Sequence, residues 1–351
     1  MTLDCVPHQV QSKTSVAMLR VLEGHADGVC AVSSCTVGGR VLVLSGSYDH
    51  TVKMWDAADG TELRELEGHT DAVLTVASCT VDGRVVVLSG SVDQKVKMWD
   101  AADGTELRVF EGHTDIVYAV TSCTVDGRVV VLSGSADKTV RMWDAADGRQ
   151  LRVLEGHTDD VFAVTSCTVE GRVVVLSGSE DRTVRMWDAT DGTELRVFEG
   201  HTDAVYSVAS CNVDGRVVVL SGSVDKTVRL WDAADGRQLR VLEGHTDDVC
   251  AVTSCSLDGR VLVLSASDDR TVRMWDATEG RCEEGGVKRD ATDGTELSVL
   301  WGHLRDVNAV ASCTVDGRTL VLSGSWDHTV RMWDVGRAVN VAAAAAVAAA
   351  E

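Results

Sequence analysis

One unit, copied seven times at a fixed spacing, governs this sequence, and a chain of this kind must fold so that each copy covers its neighbour. Gly-His recurs at Gly24-His25, Gly68-His69, Gly112-His113, Gly156-His157, Gly200-His201, Gly244-His245 and Gly302-His303. Successive histidines are 44 residues apart five times and 58 apart once. Trp-Asp keeps step, with each tryptophan 30 residues after its histidine. The additional 14 residues therefore fall between Trp275 and Gly302, where DATEG (276–280) and DATDG (290–294) suggest a local duplication.

Within a unit the apolar pattern predicts four short strands. The second unit reads DAVLTVASC, TVDG, RVVVLSGS, VDQ, KVKMWD, AADG, TELRVFEG. Valine-rich runs bounded by Gly and Asp turns are strand signals, and no segment keeps a helical period. Residues 84–88 are nearly all apolar, as in a strand covered on both faces. Residues 105–111 alternate charged and apolar side chains, as an outer strand at the water boundary does. A single sheet of this kind cannot bury both its faces, so the units have to stack.

The GH…WD frame, the 44-residue period and the turn aspartates resemble the WD40-repeat family over about residues 15–337. That resemblance implies an all-β fold, a seven-bladed propeller with four antiparallel strands per blade. It also implies that the repeat is offset from the blade, so that SVAMLRVLE (15–23) supplies the outer strand of the last blade and closes the ring against Val330 to Asp334. The chain departs from the common pattern in having TVDG in place of a Pro-containing turn, and in a slightly long His-to-Trp spacing. Residues 1–14 are expected to be a flexible tail, 15–337 the propeller with an inserted loop at about 277–290, and 338–351 an Ala-rich tail. The insertion is expected in the c–d loop of the sixth blade, on the face opposite the Gly-His loops.

Four residues recur in all units: His25, Ser45, Asp49, Trp55; His69, Ser89, Asp93, Trp99; His113, Ser133, Asp137, Trp143; His157, Ser177, Asp181, Trp187; His201, Ser221, Asp225, Trp231; His245, Ser265, Asp269, Trp275; and His303, Ser323, Asp327, Trp333. By the resemblance these match the family's structural tetrad, in which Asp meets His, His meets Ser and Ser meets the indole. Buried imidazole and indole N–H groups need partners, and leaving one unpaired costs about 1–3 kcal/mol. Ser, His and Asp also suggest a hydrolase. A catalytic site is normally unique, however, and this set occurs seven times with a Trp against each Ser; no Gly-x-Ser-x-Gly elbow, phosphate loop or zinc-protease pattern is present. No catalytic residue, metal ligand or cofactor site is assigned.

Seven of the 11 cysteines share one repeat position: Cys35, Cys79, Cys123, Cys167, Cys211, Cys255 and Cys313. Equivalent sites on facing sheets lie about 10 Å apart, too far for a disulfide, which needs Cα atoms within about 7 Å. These thiols are expected to be reduced and buried, in a cytoplasmic or nuclear compartment. The start MTLDCVPHQV has neither the basic nor the apolar region of a secretory signal, and the longest apolar run, 341–350, is too short to span a membrane.

Positions at which near-identical copies disagree are either free or functional. Five residues after each histidine the series is Cys30, Leu74, Tyr118, Phe162, Tyr206, Cys250, Asn308. The tetrad Asp is flanked by a second and a third variable series, Tyr48, Val92, Ala136, Glu180, Val224, Asp268, Trp326 before it and His50, Gln94, Lys138, Arg182, Lys226, Arg270, His328 after it. All three series fall at the Gly-His end of the blades, which in WD40 proteins is the usual partner-binding face. Tyr118, Phe162 and Tyr206, with Ile116 beside them, are expected to form an aromatic arc across three adjacent units; Tyr48, His50, Trp326 and His328 are expected to meet at the ring closure. Aromatic residues number only 9 Trp, 3 Tyr and 3 Phe, so this concentration is informative.

A net charge of −21 disfavours nucleic acid and anionic membranes as partners and favours basic ones. The expected function is a non-catalytic protein- or peptide-binding scaffold, monomeric, presenting a rigid propeller face. A propeller enzyme would need a singular polar cluster at the channel mouth, drawn from Asp160, Glu180, Asp248, Asp268 and Asp306. A recently duplicated or designed propeller without a dedicated partner is the remaining alternative.

Overall fold

A computed structural model describes residues 16–277 and 296–335. Strand β1 (Ala17–Glu23) precedes a first sheet of β2 (Val29–Val37), β3 (Arg40–Ser47), β4 (Val52–Asp56) and β5 (Glu62–Leu66). The second sheet is β6 (Val73–Val81), β7 (Arg84–Ser91), β8 (Val96–Asp100) and β9 (Glu106–Phe110). Its turns explain its shape. Asp82 and Gly83 both have positive φ, 48° and 79°, as a two-residue type I′ hairpin requires, so TVDG needs no proline. The next turn is held by Gln94 N–H donating to Ser91 O at 3.2 Å and Asp93 N–H donating to Ser91 Oγ at 3.0 Å. The third is closed by Gly104 N–H donating to Asp100 O at 2.8 Å.

The same plan repeats in β10–β13 (117–154), β14–β17 (161–198) and β18–β21 (205–242). The sixth sheet is β22 (Val249–Leu257), β23 (Arg260–Ser267), β24 (Thr271–Asp276) and β25 (Glu296–Trp301). The last contains β26 (Val307–Val315), β27 (Arg318–Ser325) and β28 (Thr329–Asp334), with β1 as its fourth, outer strand. β1 runs antiparallel to β28, from Ala17 opposite Asp334 to Glu23 opposite Thr329. The N-terminal strand thus closes a seven-bladed propeller, as expected. The first strands of successive blades pack side by side, and β26 against β2 completes the circle.

Seven apolar cores lie between blades rather than within them. Trp99 of the second blade, for instance, packs with Leu44, Val52 and Met54 of the first. Second and third strands are buried almost throughout. The first strand is only half covered, because one edge is unpaired where the blades converge. This corrects the expectation for the cysteines: the seven repeated thiols sit on that strand and are half-buried, not buried. All are free, as are Cys30 and Cys250, and burial pushes Cys35, Cys123, Cys167, Cys211, Cys255 and Cys313 up to about 11. The two tails and the inserted segment lie outside the described residues, apart from Ala277, which follows β24, is buried and donates its N–H to Val261 O at 2.9 Å.

Candidate interaction face

What holds the Gly-His face in place is a hydrogen-bond chain repeated in all seven blades. His Nδ1 lies 2.7–2.9 Å from Asp Oδ2, and His Nε2 lies 2.7–2.8 Å from Ser Oγ. The Trp indole N–H donates to the same Ser Oγ at 2.8–2.9 Å. The Asp carboxylate accepts a hydrogen bond from Nδ1–H, so Nε2 accepts from the Ser hydroxyl while Oγ accepts from the indole. Each Asp also ties down the turn itself, as where Asp93 accepts from Thr70 N–H at 3.1 Å and Lys95 N–H at 3.0 Å. Burial opposes ionisation of Asp181, but the hydrogen bonds from His157 and Thr183 prevail and hold its carboxyl well below the usual range.

On that frame Tyr118, Phe162 and Tyr206 come together. Tyr118 and Phe162 have ring centroids 4.8 Å apart at 63°, and Phe162 and Tyr206 are 4.9 Å apart at 86°, both edge-to-face. Each ring is half-buried, and so is Ile116. Carboxylates crowd this arc. Burial, then the charges of Asp160, Asp115 and Glu180, push the Tyr118 phenol up to about 12. The Asp160 carboxyl is itself raised, by burial and by Asp159 and Asp115, although Tyr118 hydrogen-bonds to it. Glu180, Asp248 and Asp268 are raised as well, first by desolvation and then by neighbouring carboxylates. Cys250 Sγ donates to Asp268 Oδ1 at 2.9 Å beside Tyr206, which feels both. Oxygens of Asp159, Asp160 and Glu180 fall within 4.8 Å of one another, a set of hard donors that already has Lys138 Nζ 3.3 Å from Asp159.

Of the four closure residues the structure brings together Tyr48 and Trp326 but not the two histidines. Tyr48 and Trp326 rings are 4.7 Å apart at 37°, and a Cβ on Gly28 would lie 3.1 Å from the Trp326 ring. Gly28 takes part in this contact although the sequence reading passed over it; its signal was being the sole glycine three residues after a histidine. His50 and His328 are exposed on their turns, His50 Nε2 being 4.0 Å from Asp71 of the next unit. All seven residues in the third variable series have positive φ, between 68° and 72°. Two of its cations are inter-blade ties: Lys138 reaches Asp159, and Lys226 reaches Asp247 at 3.5 Å.

Comparison with known proteins supplies the context. A curated relative, "Ribosome biogenesis protein WDR12 homolog" of Nematostella vectensis, is 42% identical over 55 residues, 16% of this chain. The match spans 12% of that protein, far less than two thirds of its length. The description "WD domain, G-beta repeat" matches seven times, at residues 17–56, 60–100, 104–144, 148–188, 192–232, 236–276 and 294–334. Those matches take in most of the sequence and agree with the seven four-stranded sheets, so the chain belongs to the WD40-repeat family.

Proposed function

We propose that this protein is a non-catalytic interaction scaffold whose Gly-His face holds a basic segment of a partner protein. The observation that carries the reading is the stack of Tyr118, Phe162 and Tyr206 bordered by Asp160, Glu180, Asp248 and Asp268. Aromatic faces attract a cation by about 0.5–2 kcal/mol, depending on how far it is desolvated. Carboxylates that repel one another gain from an ammonium or guanidinium placed among them. The closed ring preorganises these groups, so little ordering accompanies binding. A net charge of −21 steers a basic partner toward the molecule and argues against nucleic acid. The free thiols suit a reducing compartment, cytoplasmic or nuclear.

Against a hydrolase stands the state of each serine. Ser177 is 0% exposed, accepts the Trp187 indole N–H and donates to His157, so its Oγ is buried and out of reach of a substrate carbonyl. A scaffold reading also needs nothing from the short match to the ribosome biogenesis protein, which covers little of either chain.

The test is a titration with a fluorescein-labelled peptide of alternating Lys, Arg and Ser. The native protein is expected to bind it saturably, with an on-rate that falls as salt rises. Tyr118→Ala/Phe162→Ala/Tyr206→Ala is expected to weaken binding about thirtyfold or more, with the melting temperature followed in parallel. Equal affinity in the folded triple variant moves the site to Tyr48 and Trp326. No saturable binding by the native protein removes the basic-segment reading.

A further inference from the structure

The seventh unit breaks the repeat at the loop that leads into it. Each of the other six units reads Glu-Gly-His, then Thr or Ala, then Asp; this one reads Trp301-Gly302-His303-Leu304-Arg305. The structural members are kept, since His303 still lies 2.9 Å from Asp327 and 2.7 Å from Ser323. The three changed side chains face water. Trp301 is 67% exposed and Leu304 75%, the two most exposed large apolar residues among those described. Single apolar side chains on a surface are ordinary, but two on one five-residue loop, at positions where other copies carry Glu and Thr, form a patch.

The charge of the seam changes with them. At three other seams the residue after the tetrad Asp reaches the Asp two places beyond the next histidine: Lys138 to Asp159 at 3.3 Å, Lys226 to Asp247 at 3.5 Å and His50 to Asp71 at 4.0 Å. At the seam between the sixth and seventh blades those two positions are Arg270 and Arg305. Both are exposed, and among the described residues neither guanidinium has an ion-pair partner. A chain of net charge −21 thus places two uncompensated cations beside its most exposed apolar loop.

We propose that Trp301, Leu304, Arg270 and Arg305 form a second docking surface, for an extended acidic segment of a partner protein that carries an apolar side chain. Guanidinium groups take carboxylates in two-pronged hydrogen bonds, and Trp and Arg are the residues that most often dominate binding energy at interfaces. Trp301 is a fixed anchor rather than a loose one: β25 continues to a pairing of Thr271 with Trp301, whereas the second blade's outer strand stops one step earlier, at Val96 with Phe110. Thr271 beneath it is 1% exposed. The surface is independent of the aromatic arc and opposite in polarity, so the ring would bridge a basic segment and an acidic one.

The experiment uses the chain's own repeats as the control. Trp301→Glu/Leu304→Thr/Arg305→Asp rewrites the loop as it stands in five other units, so the fold has every reason to survive. The probe is a fluorescein-labelled ten-residue peptide of Asp and Glu around a central Leu-Phe pair, measured by anisotropy at low salt. The native chain is expected to bind it, and the loop variant and Arg270→Gln each to bind it about tenfold or more weakly. Replacing Leu-Phe in the probe by Ser-Ser is expected to weaken binding to the native chain by a similar factor, and replacing its acids by Lys to weaken binding to the Tyr118→Ala/Phe162→Ala/Tyr206→Ala variant, which lacks the arc that would hold a basic peptide. The Tyr118→Ala/Phe162→Ala/Tyr206→Ala variant is expected to bind the acidic probe as the native chain does, which separates this surface from the arc. Equal affinity of native and loop variant, or no saturable binding by the native chain, overturns the proposal. Sedimentation showing native self-association that the loop variant loses overturns it too, in favour of a contact between copies.

Discussion

A single carboxylate shows how the tetrad links protonation to folding. Asp93, Asp181 and their counterparts have carboxyls lowered on folding, chiefly by the histidine hydrogen bond working against burial. A lowered folded value means the stabilisation is complete above the unfolded carboxyl range, about pH 4, and is lost as pH falls through the folded value. Asp160, Glu180, Asp248 and Asp268 run the other way, since their raised folded values make protonation favour the native state. Urea midpoints measured from pH 8 to pH 3 are therefore expected to hold level or rise slightly down to about pH 5, then fall steeply below about pH 4, where the unfolded chain takes up protons that the native tetrad carboxylates do not. A midpoint that drops steadily between pH 8 and 6 would place the controlling group on histidine instead. At this scale the four recurring residues of each unit and the three stacked rings were legible, because repetition isolates the first and disagreement among copies isolates the second. The ties from Lys138 to Asp159 and Lys226 to Asp247 were not, because their partners belong to a neighbouring unit and the strand pattern within one unit does not show which side chains face each other across a seam.

Between blades, the closeness of approach is set by one glycine on six of the seven second strands. A Cβ on Gly178 would lie 2.8 Å from Val205 Cγ1 and 3.0 Å from Val208 Cγ1, with Val205 O at 3.3 Å. The neighbours are a stiff valine and a backbone carbonyl, so neither can move without shifting a strand. Gly178→Ala is expected to cost about 1–3 kcal/mol in urea unfolding, more than an Ala introduced at the open turn glycine Gly171 would through its positive φ of 79° alone. A smaller loss at Gly178 than at Gly171 would mean the seam has room to spare. The sixth blade has Ala266 at the same position, 0% exposed, so its seam with the seventh blade is built differently. Hairpins joined by Asp-Gly were legible from two residues, since only a short list of side chains accepts that geometry. The half-burial of each first strand was hidden, because its Ser, Cys and Thr residues carry no clear alternation and the exposed edge is created by the ring, not by the strand.

Across the whole molecule the period of the repeat was enough to read the architecture, down to which segment closes it, whereas the polarity of its surface was not. The closure can be tested by removing the strand that makes it. β1 gives the last blade its outer edge and puts Leu22, 2% exposed, into a core with Leu320, Val330 and Met332. That core also contains Val29, Val43 and Trp55 of the first blade, so the strand joins the two ends of the chain through one packed cluster. Without it β28 presents a bare row of backbone donors and acceptors, the kind of edge that recruits other chains. The apolar cluster loses its lid at the same time, and the interface between the seventh and first blades is left to the inner strands alone. In a stacked array, stability resides in the interfaces between neighbours, and a closed ring has one interface more than an open one. The intact chain is therefore expected to unfold in one cooperative transition, and the chain lacking residues 1–23 to melt at a lower temperature, over a broader range, with aggregation that rises with concentration. Deleting residues 1–14 alone is expected to leave the transition where it was. A chain without residues 1–23 that melts as sharply and as high as the intact one would mean that the blades hold the ring without β1.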